Sequence, residues 1–218
     1  MSYIARIDSD KSRKRILGHA SKVIEEGGII AFPTESFYGL GVDATNPEAI
    51  KKLYKLKKRD SNLPLLILIP SINELSKYAV SVPPQAIIIG KNFWPGGITM
   101  IFKSSFVLPP ELTAGRGKVG IRVSSHPIAN ELSRTVNVPI TATSANLSGT
   151  PPCVNADQVT CLFGDDLDFI LDSGETEGKN ASTILDVTIN PPVIIREGII
   201  SMEKIVKSGI AVVKNTGI

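Results

Sequence analysis

The stretch KLYKLKKRDSNLPLLILI, residues 52–69, places a cationic segment directly before an apolar one. Its first eight positions carry five lysine or arginine side chains, and a run of leucine and isoleucine follows between two prolines. The cationic part is predicted to end a helix, and the apolar part has the length and composition of a buried β-strand. A helix that leads into a buried strand is typical of α/β domains, so this order indicates the class of fold.

The same alternation extends in both directions along the chain. Residues 12–26 are predicted to form an amphipathic helix, GGIIAFPT (27–34) a buried strand, and Pro47–Leu56 a second helix. We expect a single α/β domain over residues 1–218, with one twisted sheet of mixed parallel and antiparallel strands and flanking helices. The remaining helices are predicted at 84–91, 126–136, 155–162 and from Met202, and the remaining strands within 98–103, 118–123, 138–142, 168–171, 182–187 and 193–196.

Two further segments carry local signals. In SINELSKYA (71–79), a serine three residues before Glu74 has the pattern of a helical capping box. SGETEGKN (173–180) is polar, contains two glycines and has no apolar residue. We expect this segment to be a surface loop, and as a hypothesis a lid over a ligand site.

Composition limits the class of protein. The chain has 218 residues, of which 42% are hydrophobic and 21% charged, as in an ordinary globular domain. A formal net charge of +3 is too small to require a nucleic-acid duplex as ligand, but it fits a local anion site. Two cysteines, Cys153 and Cys161, form no disulfide framework. No segment approaches the ~20 apolar residues of a membrane span, and the first residues lack a signal-peptide core. We therefore expect a cytoplasmic protein without membrane contact.

The first candidate site is PTESFYGLG, residues 33–41, directly after a predicted strand. Thr34, Ser36 and Tyr38 offer hydroxyl groups and Glu35 a carboxylate, which suits a small polar ligand such as an amino acid. A tight structural turn explains the same composition. We expect ligand groups at the ends of strands, as in other open α/β sheets.

The second candidate is the end of the cationic helix. Most of its lysines are expected to form a solvated helix face, and cations at a helix C-terminus also complement the helix dipole. Lys57 and Arg59 lie where the helix is predicted to end, and from there they can clasp neighbouring phosphates.

Two more groups of residues complete the candidates. TATSANLSG (141–149) has small side chains that expose backbone N–H groups to an anion, although such residues populate many turns. Arg122 lies within an apolar strand, where an unpaired cation is costly to bury. It is therefore expected either to hold a carboxylate or phosphate of a ligand or to form a structural ion pair. Ser182, Thr183 and Arg196 also lie on predicted strands.

Several site classes are excluded by absent motifs. The chain contains no GxxxxGK(S/T) phosphate loop, no GxGxxG fingerprint and no GxSxG elbow. His19 and His126 are far apart, and no Cys/His spacing predicts a zinc site, so we predict no protein-held metal. Because no general base is evident, chemistry is expected to depend on positioning and charge neutralisation.

Six blocks resemble one known family, the YrdC-like threonylcarbamoyl-adenylate synthases. They are FPTESFYGLGVDATNPEAIKKLYKLKKR, FWPGGITMIF, VGIRVSSHPIANEL, TATSANLSGTPP, STILDV and IIREG, in the family's order and spacing. The resemblance extends over a core of about residues 12–208 and fits the short, single-domain form. The chain departs from the family at Asp60, where proline is common, and at Leu68, where long-form members have histidine.

The resemblance implies a nucleotidyltransferase that makes threonylcarbamoyl-AMP and pyrophosphate from L-threonine, bicarbonate and ATP. Mg²⁺ is expected to be carried with ATP. The product would serve the threonylcarbamoyladenosine modification of tRNA at position 37, through partner proteins that transfer it. The family fold implies a concave basic cleft, which would also give weak RNA binding.

The resemblance also assigns residues by position. Lys57 and Arg59 match a Lys-x-Arg signature and are predicted to be catalytic, and Ser144 and Asn146 match a Ser-x-Asn signature. Arg122 is the expected partner of the threonine carboxylate. The residues predicted to bind ATP are Lys57, Arg59, Lys118, Ser144, Asn146 and Arg196. The residues predicted to bind threonine are Thr34, Ser36, Tyr38, Arg122, Thr141 and Ser182.

Two alternatives remain at this stage. A non-enzymatic module of the same fold that binds double-stranded RNA or tRNA would use the same basic surface. Against it, aromatic residues make up only 6% of the chain and no RNP-type stacking motif is present. A transferase that acts on serine is the second alternative, because one methyl group is worth only about 1–3 kcal/mol in discrimination.

Overall fold

The computed structural model describes residues 3–215. The described part alternates strands and helices, as the sequence predicts. Its helices are α1 (Asp10–Glu25), α2 (Pro47–Lys57), α3 (Leu75–Tyr78), α4 (Pro84–Phe93), α5 (Pro110–Thr113), α6 (Pro127–Thr135), α7 (Ala156–Phe163) and α8 (Met202–Lys207). Its strands are β1 (Tyr3–Arg6), β2 (Ile30–Pro33), β3 (Tyr38–Gly41), β4 (Leu66–Leu68), β5 (Ile98–Lys103), β6 (Lys118–Arg122), β7 (Ile140–Thr141), β8 (Thr143–Ser144), β9 (Phe169–Asp172), β10 (Thr183–Asp186), β11 (Val193–Arg196) and β12 (Val213–Lys214).

The strands form two mixed sheets within the described residues, whereas the sequence predicted one. The smaller sheet has the order β1-β9-β2-β3-β8 and the larger one β12-β11-β10-β5-β6-β4-β7. The chain passes from the larger sheet to the smaller at Ala142, between β7 and β8. Next to this point the Thr141 N–H donates to the Val42 carbonyl at 3.0 Å, so backbone hydrogen bonds join the two sheets. The prediction of an α/β fold with mixed strands is confirmed.

Helix α2, which the opening stretch predicted, shows why it begins and ends where it does. The Asn46 side chain accepts from the N–H groups of Glu48 and Ala49, and Pro47 occupies the first turn, where its missing N–H costs nothing. The helix ends at Lys57, and Lys58 follows in the left-handed conformation with φ of 49°. The end lies one residue beyond the predicted one. The helix therefore delivers Lys57 and Arg59 to the space before β4.

Both faces of the central strands are covered. On β2, Ala31 packs in the larger apolar cluster, and its neighbours Ile30 and Phe32 pack in the smaller one. This alternation is the period of two expected for a strand buried on both faces. Helices α1 and α6 cover the smaller cluster with apolar side chains such as Leu17 and Leu132.

Two local predictions were wrong. Ser71 makes no side-chain capping hydrogen bond, and residues 72–74 form one 3₁₀ turn before the short α3, so the capping box is absent there. Residues 38–41, predicted as part of a polar loop, form the buried strand β3. The strand was missed because its two glycines and Tyr38 resemble a turn. Strands β1 and β12 and helix α5 were also not predicted.

Candidate active site

A cleft of about 250 Å³ lies on one face of the larger sheet. Successive outward positions of three strands line it: Thr99 and Ile101 on β5, Gly120 and Arg122 on β6, and Ile184 on β10. The residues between them, such as Met100 and Ile121, face the core instead. The β2–β3 turn and the chain around Ala142 border the cleft. The site was expected at strand ends, but it extends across a sheet face, because alternate side chains of neighbouring strands form its floor.

Most of the predicted binding residues meet in this cleft, although they come from six separate parts of the chain. Three arginines line it, and its lining includes no acidic residue among those that the structure describes. The predicted site residues that line the cleft are Thr34, Ser36, Tyr38, Arg59, Arg122, Ser144, Ser182 and Arg196.

Lys57 lies behind the cleft and not in its lining, contrary to the expectation that it faces a triphosphate. Its side chain is 1% exposed. The ammonium group donates to the Ser144 carbonyl, to the Asn146 carbonyl at 2.7 Å and to the Asn146 side-chain oxygen at 2.9 Å. The Lys57 carbonyl also accepts from the Ser148 N–H at 2.9 Å. Lys57 therefore holds the 144–148 loop from below.

Burial lowers the pKa of Lys57 from 10.5 to about 7, and the positive charge of Arg59 adds to this effect. The three oxygen acceptors act in the opposite sense, because only the charged ammonium form has three N–H donors. The position of the side chain was predictable, since residue 57 is four positions after the buried Leu53 and three after the buried Tyr54.

Three other predicted residues lie outside the cleft lining for identifiable reasons. Lys118 is paired with Asp186 across the sheet, with 2.9 Å between Nζ and Oδ2. Thr141 is fully buried, and its hydroxyl accepts from the Val42 N–H at 3.1 Å at the junction of the sheets. The Asn146 amide donates to the Thr150 carbonyl at 2.6 Å and accepts from Lys57. Asn146 therefore shapes the loop that carries Ser144 to the cleft.

Arg59 and Arg196 are fixed to the cleft wall by backbone carbonyls. Arg59 donates from Nη2 to the Pro64 carbonyl at 3.1 Å, and Arg196 donates from Nη2 to the Ser182 carbonyl at 2.8 Å. Burial lowers the pKa of both guanidinium groups, and the charge of Arg122 adds to the effect on Arg196. Neutral acceptors hold both arginines in place without cancelling their charge.

Arg122 has the ion-pair partner that the sequence left open. Its Nη1 lies 3.2 Å from Oε1 of Glu35, and both side chains are buried. Its Nε has no hydrogen-bond partner among residues 3–215, and neither has the Ser36 hydroxyl. A buried donor without a partner is costly, so these two groups are suited to bind polar atoms of a ligand.

The 173–180 loop borders the same corner of the cleft. The Gly178 N–H donates to the Ser36 carbonyl at 2.8 Å, and the Tyr38 hydroxyl donates to the Gly174 carbonyl at 2.8 Å. Burial raises the pKa of the Tyr38 hydroxyl above its ordinary value, so the group is a stable donor. The loop thus contacts the residues predicted to bind threonine.

The sequence reasoning missed part of the cleft floor. The Thr99 hydroxyl lies 3.0 Å from that of Ser182, and both residues line the cleft. A Cβ on Gly120 would lie 3.1 Å from Cγ2 of Thr99, so the glycine keeps the floor open. A hydroxyl residue and a glycine at outward positions of otherwise apolar strands were the signal for these positions. Leu68, the departure noted above, packs in the smaller apolar cluster and does not line the cleft.

Two searches of residues 3–215 bear on cofactors and membranes. They contain no group of three or more histidine, cysteine, aspartate or glutamate side chains placed to hold a metal ion. Over the same residues, every helix is too short or too polar to cross a bilayer.

Comparison with known proteins places this architecture in a family. The family model Sua5/YciO/YrdC, described as "Telomere recombination", matches residues 22–198. A threonylcarbamoyl-AMP synthase of Pyrococcus abyssi is 39% identical over 188 residues, which are 86% of this chain and 55% of that protein. A threonylcarbamoyl-AMP synthase of Bacillus subtilis is 38% identical over 190 residues, 87% of this chain and 55% of that protein. The chain thus spans about half the length of these two relatives.

A solved structure agrees with this result. The crystal structure of P. abyssi Sua5 complexed with L-threonine superposes with a TM-score of 0.90 at 35% sequence identity, covering 97% of this chain and 62% of that one. The family model covers most of the chain, and the fold agrees over nearly its whole length. The chain therefore belongs to the Sua5/YciO/YrdC family.

Proposed function

We propose that this chain is a threonylcarbamoyl-AMP synthase, which converts L-threonine, bicarbonate and ATP to threonylcarbamoyl-AMP, pyrophosphate and water. The observation that carries the proposal is the convergence of Arg59, Arg122 and Arg196 on one cleft that also presents hydroxyl groups. Relatives named for this activity support it.

The reaction explains the need for three cations. The threonine amine attacks the carbon of bicarbonate, water leaves, and a carbamate forms. A carbamate oxygen then attacks the α-phosphorus of ATP, and the bond to the pyrophosphate leaving group breaks. Both steps bring anions together, so the site must reduce their repulsion and align them for in-line attack. Arginines held by neutral carbonyls keep their full charge for this purpose.

On this proposal, Arg59, Arg196 and Ser144 contact the nucleotide. Lys57 acts through the 144–148 loop, because its three N–H donors are already used by that loop. It is therefore a positioning residue on this proposal. Mg²⁺ is proposed to enter with ATP on the triphosphate oxygens, where it would neutralise developing charge.

The amino acid is proposed to bind where Ser36, Arg122 and Ser182 meet. The free Nε of Arg122 suits a carboxylate, and the unpartnered Ser36 hydroxyl suits a polar group of the same ligand. The P. abyssi Sua5 complex with L-threonine supports an amino-acid ligand for this fold.

The cellular context is also part of the proposal. The product is proposed to pass to proteins that modify tRNA, and a cytoplasmic site of action fits the free thiols of Cys153 and Cys161.

Pyrophosphate release from Mg-ATP tests the proposed reaction. We expect release by the 218-residue chain only when threonine and bicarbonate are both present, and threonylcarbamoyl-AMP should be identified as the product by mass spectrometry. Serine in place of threonine tests the choice of amino acid, and equal rates with both would assign a wider substrate class. Folded protein that releases no pyrophosphate with the complete mixture would contradict the proposal.

A further inference from the structure

We propose that Glu35 is a positioning residue, which holds the guanidinium group of Arg122 so that its free donors face the carboxylate of the amino-acid substrate. The inference rests on the proposed function and deepens it, because it gives a role to a residue that has had none in the site. It is carried by the contacts of Glu35, by its position relative to the cleft and by the charges around Arg122.

The pair is buried and close. Nη1 of Arg122 lies 3.2 Å from Oε1 of Glu35, and the two side chains are 5% and 14% exposed. Arg122 lines the cleft, whereas Glu35 does not. Glu35 therefore contacts the guanidinium from outside the cleft and does not occupy the place of a ligand carboxylate.

Glu35 is itself anchored by the start of α6. Its Oε2 accepts a short hydrogen bond from the Ser124 hydroxyl. The Ser124 hydroxyl in turn accepts from the His126 N–H at 3.2 Å, and the Ser124 carbonyl accepts from the Asn130 amide at 3.1 Å. The carboxylate that contacts Arg122 is thus tied to a helix and not to a mobile surface group.

The charge of Glu35 also has a specific use. Arg196 lies close enough to Arg122 for the charge of one guanidinium to lower the pKa of the other. Without a carboxylate beside it, Arg122 would be repelled by Arg196 and would be a buried, unpaired cation. Glu35 offsets this repulsion on the Nη1 side and leaves Nε of Arg122 without a partner among the described residues.

Isothermal titration of threonine into the full chain, without ATP, measures the effect directly. We expect Glu35→Ala to weaken threonine binding by about tenfold or more, the effect of losing roughly 1.4 kcal/mol. The KM for ATP should stay within about twofold, because the nucleotide contacts are elsewhere. Glu74→Ala is the matched control, since it breaks a surface pair with Lys77 that lies far from the cleft lining.

A double-variant cycle separates positioning from general destabilisation. In an Arg122→Ala background, Glu35→Ala should cause no further loss of threonine affinity, whereas a merely structural effect would be additive. If Glu35→Ala does not fold, Ser124→Ala decides the question, because it loosens the anchor and keeps the ion pair. We expect Ser124→Ala to weaken threonine binding by about threefold.

The outcomes separate the two proposals. Threonine affinity that is unchanged or tighter in Glu35→Ala, while the wild-type chain binds threonine, would overturn the role of Glu35 and leave the proposed function intact. Full additivity in the double-variant cycle would do the same. A wild-type chain that binds no threonine would overturn the proposed function, and the role of Glu35 with it.

Discussion

The side-chain nitrogen of Lys57 lies 2.9 Å from the side-chain oxygen of Asn146, although 89 positions separate the two residues in the chain. The contact joins the end of α2 to the loop after β8, so the Lys-x-Arg and Ser-x-Asn segments form one structural unit. Within this unit, Arg59 and Ser144 reach the cleft, and Lys57 and Asn146 hold them in place. Four residues that the sequence predicted as equal ATP contacts thus divide into two contacts and two supports.

Replacing Lys57 by methionine tests this division. We expect Lys57→Met to raise the KM for ATP by about tenfold or more, because the acceptors at Ser144 and Asn146 lose their buried donors. Threonine affinity should stay within about twofold in a titration without ATP. Lys55→Met on the exposed face of the same helix is the control and should change neither value. A loss of threonine affinity equal to the loss for ATP would contradict the division.

Lys57 also predicts how stability depends on pH. Burial lowers its pKa in the folded chain to about 7, from 10.5 for an ordinary lysine. Between these values the unfolded chain binds more protons than the folded one, so the Lys57 contribution makes the folded state more stable as pH rises.

The measurement compares urea unfolding of the wild type and Lys57→Met from pH 6 to pH 10. The free energy of unfolding of the wild type should gain on that of the variant above about pH 7, by up to about 1.4 kcal/mol per pH unit. Lys55→Met should follow the wild type. Parallel curves for wild type and Lys57→Met would show that the three acceptors hold the proton and outweigh burial.

The fold was predictable where one signal dominates a segment. Pro47 after an asparagine cap defined the start of α2, and Pro64 and Pro70 bounded the strand that follows it. The division into two sheets was not predictable, because it depends on β7 and β8, which have two residues each. Strands this short carry no periodicity, and only the hydrogen bonds around Thr141 define them.

The site was predictable in its residue types and less so in their geometry. The costs of burying Arg122 correctly required a partner, but sequence spacing could not tell Glu35 from a ligand carboxylate. Lys118 was grouped with the nucleotide although Asp186, far along the chain, holds it. Long-range pairs of this kind decide which cations remain free, and no local pattern reports them.

Arg59 provides a direct test of the nucleotide end of the cleft. We expect Arg59→Ala to raise the KM for ATP and lower kcat, with a combined loss in kcat/KM of about 100-fold, because it removes a charge-assisted contact of roughly 1.5–3 kcal/mol. Arg116→Ala is the matched control, since Arg116 is an exposed arginine bonded to the Asn62 carbonyl outside the cleft lining. Equal kinetic effects of the two substitutions would argue against a nucleotide contact at Arg59.

The loop at 173–180 remains a predicted lid, and Gly178 is the residue through which to test it. Its φ is +65°, a Cβ there would lie 2.7 Å from Cγ1 of Val154, and its N–H donates to the Ser36 carbonyl. Alanine at this position should therefore displace the loop from Ser36. We expect Gly178→Ala to slow product formation by about fivefold or more at saturating ATP and threonine, because the carbamate would be exposed to water before it reaches the α-phosphorus. Raising bicarbonate should partly restore the rate, since it replenishes the carbamate. Glu177→Ala, an exposed change in the same loop, should leave the rate unchanged. A Gly178→Ala enzyme with wild-type rate, or one that extra bicarbonate does not help, would assign the loop a purely structural role.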